Sequence, residues 1–211
     1  MKLQSISEKL SDLNWRRNNE YISTHDDNNS RPAIFAFNGD VYGGIDAKTL
    51  SNEKIYDLQK SLRILSGFYG VLKPLDLIQP YRLEMGTKLK TEKGDSLYDF
   101  WGEKIPSSIL RELSAHKNQT IINLASAEYF KAVAQIISKA RVVTPVFKDY
   151  SKGTFKIISF FAKKARGTMA SFIIQNRITS PNGIKNFAED GYLFNESLSS
   201  EREWIFTRKS S

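Results

Sequence analysis

The sequence predicts an α/β (α+β) protein: one compact domain over residues 1–211, with a central mixed sheet wrapped by helices. Three observations carry that expectation. Apolar runs of strand length alternate with stretches whose apolar residues recur every three or four positions. A chain of 211 residues suits one large domain, and no linker composition divides it. Hydrophobic residues at 40% and aromatics at 12% are enough to build a core and argue against disorder.

In chain order, Leu3, Ile6, Leu10 and Leu13 follow helical rhythm and predict an opening amphipathic helix. Asp26-Asp27-Asn28-Asn29-Ser30 reads as a loop, and Pro32 to Phe37 as a buried strand ending at the Asn38-Gly39 turn signal. Ser51 suits an N-cap, with Glu53 in the first turn of a helix carrying Ile55, Leu58, Leu62 and Leu65. That helix is expected to stop at Ser66-Gly67. Asp95 is placed to cap a helix with Leu97, Phe100 and Trp101, and Pro106 to begin another with Ile109, Leu110 and Leu113 inward.

Thr120 to Leu124 predicts a strand, followed by a helix through Tyr129, Phe130 and Val133. Val142 to Phe147 and Phe155 to Phe161 predict a hairpin around Asp149-Tyr150-Ser151-Lys152-Gly153. Pro145 places the first of these strands at an edge or bulge, because proline cannot donate to a ladder. A helix with Ala165, Met169, Phe172 and Ile173 on one face follows. A short helix from about Pro181 to Gly191 and a last strand over Trp204 to Arg208 complete the pattern.

Several function classes drop out. The chain has no cysteine, which excludes disulfides and thiolate metal sites and is compatible with a reducing cytoplasm. His25 and His116 have no ligand at metal-binding spacing, so no metal is expected. The start, Met1-Lys2-Leu3-Gln4-Ser5, carries no secretory h-region, and no apolar run approaches the ~20 residues of a membrane span. A soluble cytoplasmic protein with no membrane partner is the expectation. Dinucleotide, P-loop and nucleophile-elbow signatures are missing, and no cofactor is predicted.

Charge is the informative property. The net charge is +8, and Arg141 to Ile178 holds eight basic residues against one acid, Asp149. That stretch supplies all but one unit of the excess. Such asymmetry is the footprint of a polyanion partner, or of a solvated basic face with none.

Four constellations stand out. Lys163, Lys164 and Arg166 fall where a strand is expected to hand over to a helix. Three cations in a first turn oppose the helix dipole unless an anion joins them, or unless they point to water or pair with carboxylates. Gly67 and Gly70 flank a short break, with Lys73 beyond. Backbone amides freed of side chains suit a DNA phosphate, while a glycine-terminated helix before a packed turn is the plainer reading. Asn123, Ser126 and Tyr129 lie at a strand's C-terminal end, where α/β sheets form sites. Ser126 is expected to cap, Asn123 is open between ligand and cap, and Tyr129 is a base-stacking candidate or core. Arg82 and Glu84 alternate as on one strand face and read as a structural ion pair.

Taken as a set, FNGDVYGGIDA (37–47), LSGFYGVLKPLDLIQPYRLEMG (65–86), LYDFWGEKI (97–105), INLASAEYFKAV (122–133) and FKIISFFAKKARGTMASFII (155–174) resemble the peroxide-stress YaaA family. The resemblance implies a bacterial cytosolic protein of the hydrogen-peroxide response, with a positively charged cleft, DNA binding and a helix-hairpin-helix element. It implies Gly67, Gly70 and Lys73 as hairpin candidates and Lys163, Lys164 and Arg166 as cleft candidates; Arg82, Asn123, Ser126 and Tyr129 are further candidates for a cleft. Family members begin with a strand leading into a Ser-Pro-Ala-Lys motif. This sequence starts at the helix after it, so an N-terminally shortened chain is expected, with an exposed strand edge if the absent strand belongs to the central sheet.

Two functions follow as expectations. The first is a non-enzymatic DNA-binding protein making mainly phosphate contacts, with RNA as a further partner. The second is an enzyme on damaged nucleic acid or nucleotides, with Lys163 or Lys164 as nucleophile or phosphate clamp and Glu128, Glu84 or Asp99 as acid or base.

Overall fold

β-Branched and aromatic residues supply most of Arg141–Ser151, and this stretch forms the longest strand, on which the sheet assembles. In the computed structural model, which describes residues 6–209, α1 (Glu8–Glu20), β1 (Arg31–Pro32), α2 (Ala33–Ala36), α3 (Asp40–Ile45) and α4 (Asn52–Ser61) come first. The small strands β2 (Ile64–Ser66), β3 (Gly70–Leu72) and β4 (Leu77–Ile78) follow, then α5 (Leu97–Trp101) and α6 (Lys104–Leu113). The second half runs β5 (Thr120–Ile122), α7 (Ala127–Lys131), β6 (Arg141–Ser151), β7 (Thr154–Lys156), α8 (Ser159–Gln175), β8 (Leu193–Phe194) and β9 (Glu203–Arg208).

The main sheet has the order β5-β6-β9-β8, with β7 also paired to β6. β5 and β9 run parallel to β6, whereas β7 pairs antiparallel with β6 and β8 antiparallel with β9. The sheet is therefore mixed, as expected. α8 lies against one face, where Ala162, Ala165 and Met169 pack with Val143, Phe147 and Phe206. Its opposite side, through Ala170 and Ile174, joins Ile34, Ile45, Leu58 and Ile64 in a second cluster. Val142 on the other face of the sheet meets a third cluster built from Met85, Leu97, Ile105, Val133 and Ile136.

Pro145 behaves as its chemistry requires. β5 pairs with β6 only as far as Val143, and β7 begins pairing at Asp149. The Thr144 amide donates to Arg202 on the β9 side, so the next nitrogen, that of Pro145, points into the gap between β5 and β7. The central strand thus carries a local edge where proline costs no ladder bond.

Several expectations need correction. Pro32 to Phe37 is not a strand: only Arg31–Pro32 pairs, with β4, and Ala33–Ala36 is a single helical turn. The amides of Ala33 and Ile34 donate to the carbonyls of Asp76 and Pro74, so a loop holds these two buried residues, while Phe35 and Ala36 beside them are exposed. The helix after Ser51 ends at Ser61, not Ser66, and Leu62 turns extended into β2. Ile64 and Leu72 face one core cluster while Leu65 and Val71 face another. With both faces apolar, neither period stands out.

The predicted strand over Phe155 to Phe161 stops at Lys156, and α8 starts at Ser159. In α1 Leu10 is exposed while Asn14 is buried, with neither amide atom bonded among the described residues. Leu3 lies outside the described residues. The caps fare better. Ser51 accepts from the Lys54 amide and Ser126 from the Tyr129 amide, while Ser96 rather than Asp95 caps α5.

Candidate functional site

Gly67 and Gly70 bound the turn of the β2–β3 hairpin, so the helix-hairpin-helix expectation is replaced by a β-hairpin. Gly70 needs its missing side chain, having a φ of 79°. Both glycines are packed by the protein itself. A Cβ on Gly70 would sit 2.8 Å from the Trp101 ring, and one on Gly67 would collide with the Leu83 carbonyl. The Trp101 Nε1 donates to the Gly67 carbonyl at 2.9 Å, closing the turn from outside. Both glycines are buried.

Lys73 lies 3.5 Å from the Glu112 carboxylate, which also accepts from Arg63. Partial burial would raise the Glu112 pKa, but the Arg63 guanidinium and the Lys73 ammonium outweigh it and hold the carboxyl below its usual range. A depressed carboxylate pKa stabilises the fold above the unfolded value and loses that contribution as pH falls through the folded one. Glu112→Gln is therefore expected to cost about 1 kcal/mol near neutral pH. The gap should close below the ordinary glutamate pKa of about 4.3. Urea unfolding of both proteins across that range measures it, and a gap that persisted in acid would contradict the assignment.

Tyr129 lies near Arg82, Glu84 and Glu128. Tyr81 shares a 2.6 Å hydrogen bond with Ser66, and the Phe37 and Tyr42 rings stack beside it. Burial raises the phenol pKa of Tyr42 and Tyr81, and it pushes Tyr129 up to about 12 with help from the nearby Glu128 and Glu84 carboxylates. Arg82 and Glu84 form a 2.7 Å ion pair, as expected from their alternation. Asn123 is buried. It donates to Thr144 Oγ1 at 3.2 Å and accepts from the Ala125 amide at 3.1 Å, which fixes the turn from β5 into α7.

The carboxylates considered as acid or base each hold structure. Glu128 accepts from the Gly86 amide at 2.8 Å. Asp99 accepts from Ser96 Oγ at 2.7 Å and from the Asp95 amide at 3.1 Å. Glu84 is the partner of Arg82.

The cations of α8 occupy different surroundings from those expected. Because the helix starts at Ser159, Lys163, Lys164 and Arg166 lie beyond its first turn, and the conflict with the helix dipole disappears. They also diverge. Lys163 reaches Asp40 at 4.0 Å, Lys164 reaches Asp190 at 3.6 Å, and Arg166 folds back to donate to the Ala162 carbonyl at 3.2 Å. Burial lowers the Arg166 pKa.

Sequence reasoning missed the end of the sheet beside them. Tyr150, Ile157, Phe160 and Phe161 are all exposed, Ile157 and Phe160 each by 59%. Lys148 shares the Tyr150 face, Lys156 the Asp149 face, and Lys152 sits at the turn between them; none makes an ion pair among the described residues. Lys152 and Gly153, with φ of 52° and 82°, form the two-residue turn that carries these lysines outward. Their apolar neighbours looked like core in the sequence, and only exposure tells otherwise.

Fold and surface together define a mixed α/β protein whose unpaired lysines and exposed rings meet at one end of its sheet. Among the described residues no helix is long and apolar enough to cross a membrane. The sequence pattern of peroxide stress protein YaaA matches residues 1–198. The chain is 52% identical to a UPF0246 protein of Colwellia psychrerythraea over 209 residues, covering 99% of this chain and 81% of that one. A UPF0246 protein of Aliivibrio fischeri is 53% identical over 208 residues, covering 99% and 80%. Another from Acaryochloris marina is 52% identical over 207 residues, covering 98% and 81%. The chain belongs to the peroxide stress protein YaaA family.

Proposed function

We propose that this protein binds DNA during the hydrogen-peroxide response, holding phosphates with the lysines at the β6–β7 end of its sheet. One observation carries the reading: Lys148, Lys152 and Lys156 stand beside exposed rings with no ion pair among the described residues. Clustered like charges repel, and a polyanion relieves that repulsion while releasing its counterions. Lys163 and Lys164 are further candidates on α8. Their half-exposed pairs with Asp40 and Asp190 are worth at most about 1 kcal/mol each, so exchange of carboxylate for phosphate is cheap. Family membership supports the link to peroxide stress. Gly67, Gly70 and Lys73 leave the contact set, because the protein's own side chains cover the glycines and Glu112 faces the lysine.

The test is fluorescence anisotropy with a labelled duplex, repeated with RNA, at about 50 and about 200 mM salt. If roughly four phosphates are neutralised, duplex affinity should fall about a hundredfold over that range. Lys152→Asn, which tolerates the left-handed turn, combined with Lys156→Gln should lower the log–log salt slope by about 2. A salt-independent constant, or a double variant with the parent slope, would sink the proposal.

A further inference from the structure

We infer that the sheet face at the C-terminal end of β6 is a stacking platform for unpaired nucleotides, centred on Tyr150 and Phe155. This rests on the DNA-binding reading and names the form of nucleic acid that the site takes.

Strand alternation sorts β6 into two faces. Val143, Pro145, Phe147 and Asp149 point toward α8 and are buried. Thr144, Val146 and Lys148 point the other way and are only partly covered, and Tyr150, next in that row, is 44% exposed. Register extends the open face to the neighbouring strands. Phe155 of β7 lies opposite Tyr150, their rings 5.2 Å apart and edge to face. Thr207 of β9 lies opposite Lys148, and Lys209, two residues on, places its ammonium 5.6 Å from the Tyr150 ring centre.

Charge identifies the occupant. The one acid of the basic stretch, Asp149, faces the opposite side, where Arg208 and the Tyr192 hydroxyl hold it. The open face at this end therefore presents Lys148 and Lys209 beside two rings, with Lys152 at the adjoining turn, while Lys156, paired with Asp149, lies on the other face. The acid on the same face, Glu203, sits at the far end of β9 opposite Thr144. Rings on a rigid sheet bordered by cations match a single strand in two ways: bases stack on the rings and phosphates meet the lysines. In a duplex the bases are already stacked on one another, so the rings find no partner there.

Anisotropy would compare a labelled thymidine oligonucleotide, a duplex of matched length and anionic phospholipid vesicles, with parent, Tyr150→Ala, Phe155→Ala and Tyr150→Phe proteins. Circular dichroism would confirm that each variant folds, as the exposure of Tyr150 leads one to expect. Tyr150→Ala should weaken single-strand binding about tenfold and leave duplex affinity and its salt slope in place. Tyr150→Phe should retain single-strand binding, since the ring face is kept. Equal loss on both nucleic acids, no loss on either, or vesicle binding that depends on Tyr150 would overturn the platform. Failure of the parent protein to bind any nucleic acid at low salt would instead remove the DNA-binding reading itself.

Discussion

Gly167→Ala is expected to destabilise the protein by more than about 3 kcal/mol, lowering the melting temperature by roughly 6–12 °C. In an open helix the same change would help, because alanine is about 1 kcal/mol better than glycine in a helix interior. Here the sign reverses. Gly167 sits in the middle of α8 where α3 crosses it, and an added Cβ would lie 2.9 Å from the Gly44 Cα and collide with the Val41 carbonyl oxygen. Gly44 makes the reciprocal approach: its Cβ would strike the Lys164 carbonyl. The obstacles are backbone atoms in both directions, so no rotamer change relieves them. The two helices would have to separate, and α8 also packs on the sheet through Ala165 and Met169. Differential scanning calorimetry of Gly167→Ala and Gly44→Ala measures the effect. A melting temperature equal to or above the parent's would show that the helices are not held at this distance.

These glycines mark what was legible in the sequence and what was not. Ser51 and Ser126 were readable as caps because capping is decided within three residues. β5 and the start of β6 were readable as strands because Ile121-Ile122 and Val142-Val143 are short β-branched runs, although their parallel pairing was not. Pro145 announced its own local edge. The β2–β3 hairpin was not readable, since Ile64 and Leu72 serve one cluster and Leu65 and Val71 another, which erases the alternation that marks a strand. The start of α8 was misplaced for a related reason: Phe160 and Phe161 look like the end of a buried strand, yet both are exposed in the helix's first turn.

The same misplacement shaped the reading of the site. A helix starting after Phe161 places Lys163, Lys164 and Arg166 in its first turn, where an anion or paired carboxylates would have to offset the dipole. With the helix begun at Ser159 they are ordinary second- and third-turn residues, two of them in exposed ion pairs. The net charge of the stretch survives this correction, because a count does not depend on where elements begin. Its position within the stretch does not survive, and it moves toward Lys148, Lys152 and Lys156.

Arg208→Ala is expected to cost about 3–5 kcal/mol, through the charge it abandons. Asp149 is only 1% exposed, and its carboxylate accepts from Arg208 Nε at 2.7 Å and from the Tyr192 hydroxyl at 2.8 Å. Without the guanidinium, one hydroxyl is left to stabilise a buried anion. Removing the other partner should cost less. In Asp149→Ala, Arg208 keeps a path to solvent and stays 4.4 Å from the Tyr192 ring and 4.7 Å from the Phe161 ring, with its donor to the Asp190 carbonyl intact. The ordering, Arg208→Ala worse than Asp149→Ala, distinguishes an uncompensated charge from simple loss of an ion pair, which would make the two equal. Urea unfolding of the two variants measures the ordering, and equal losses would contradict it. Because Asp149 faces away from Tyr150 and Lys148, this pair also accounts for how the stretch can contain an acid and still present a wholly basic border to the open face.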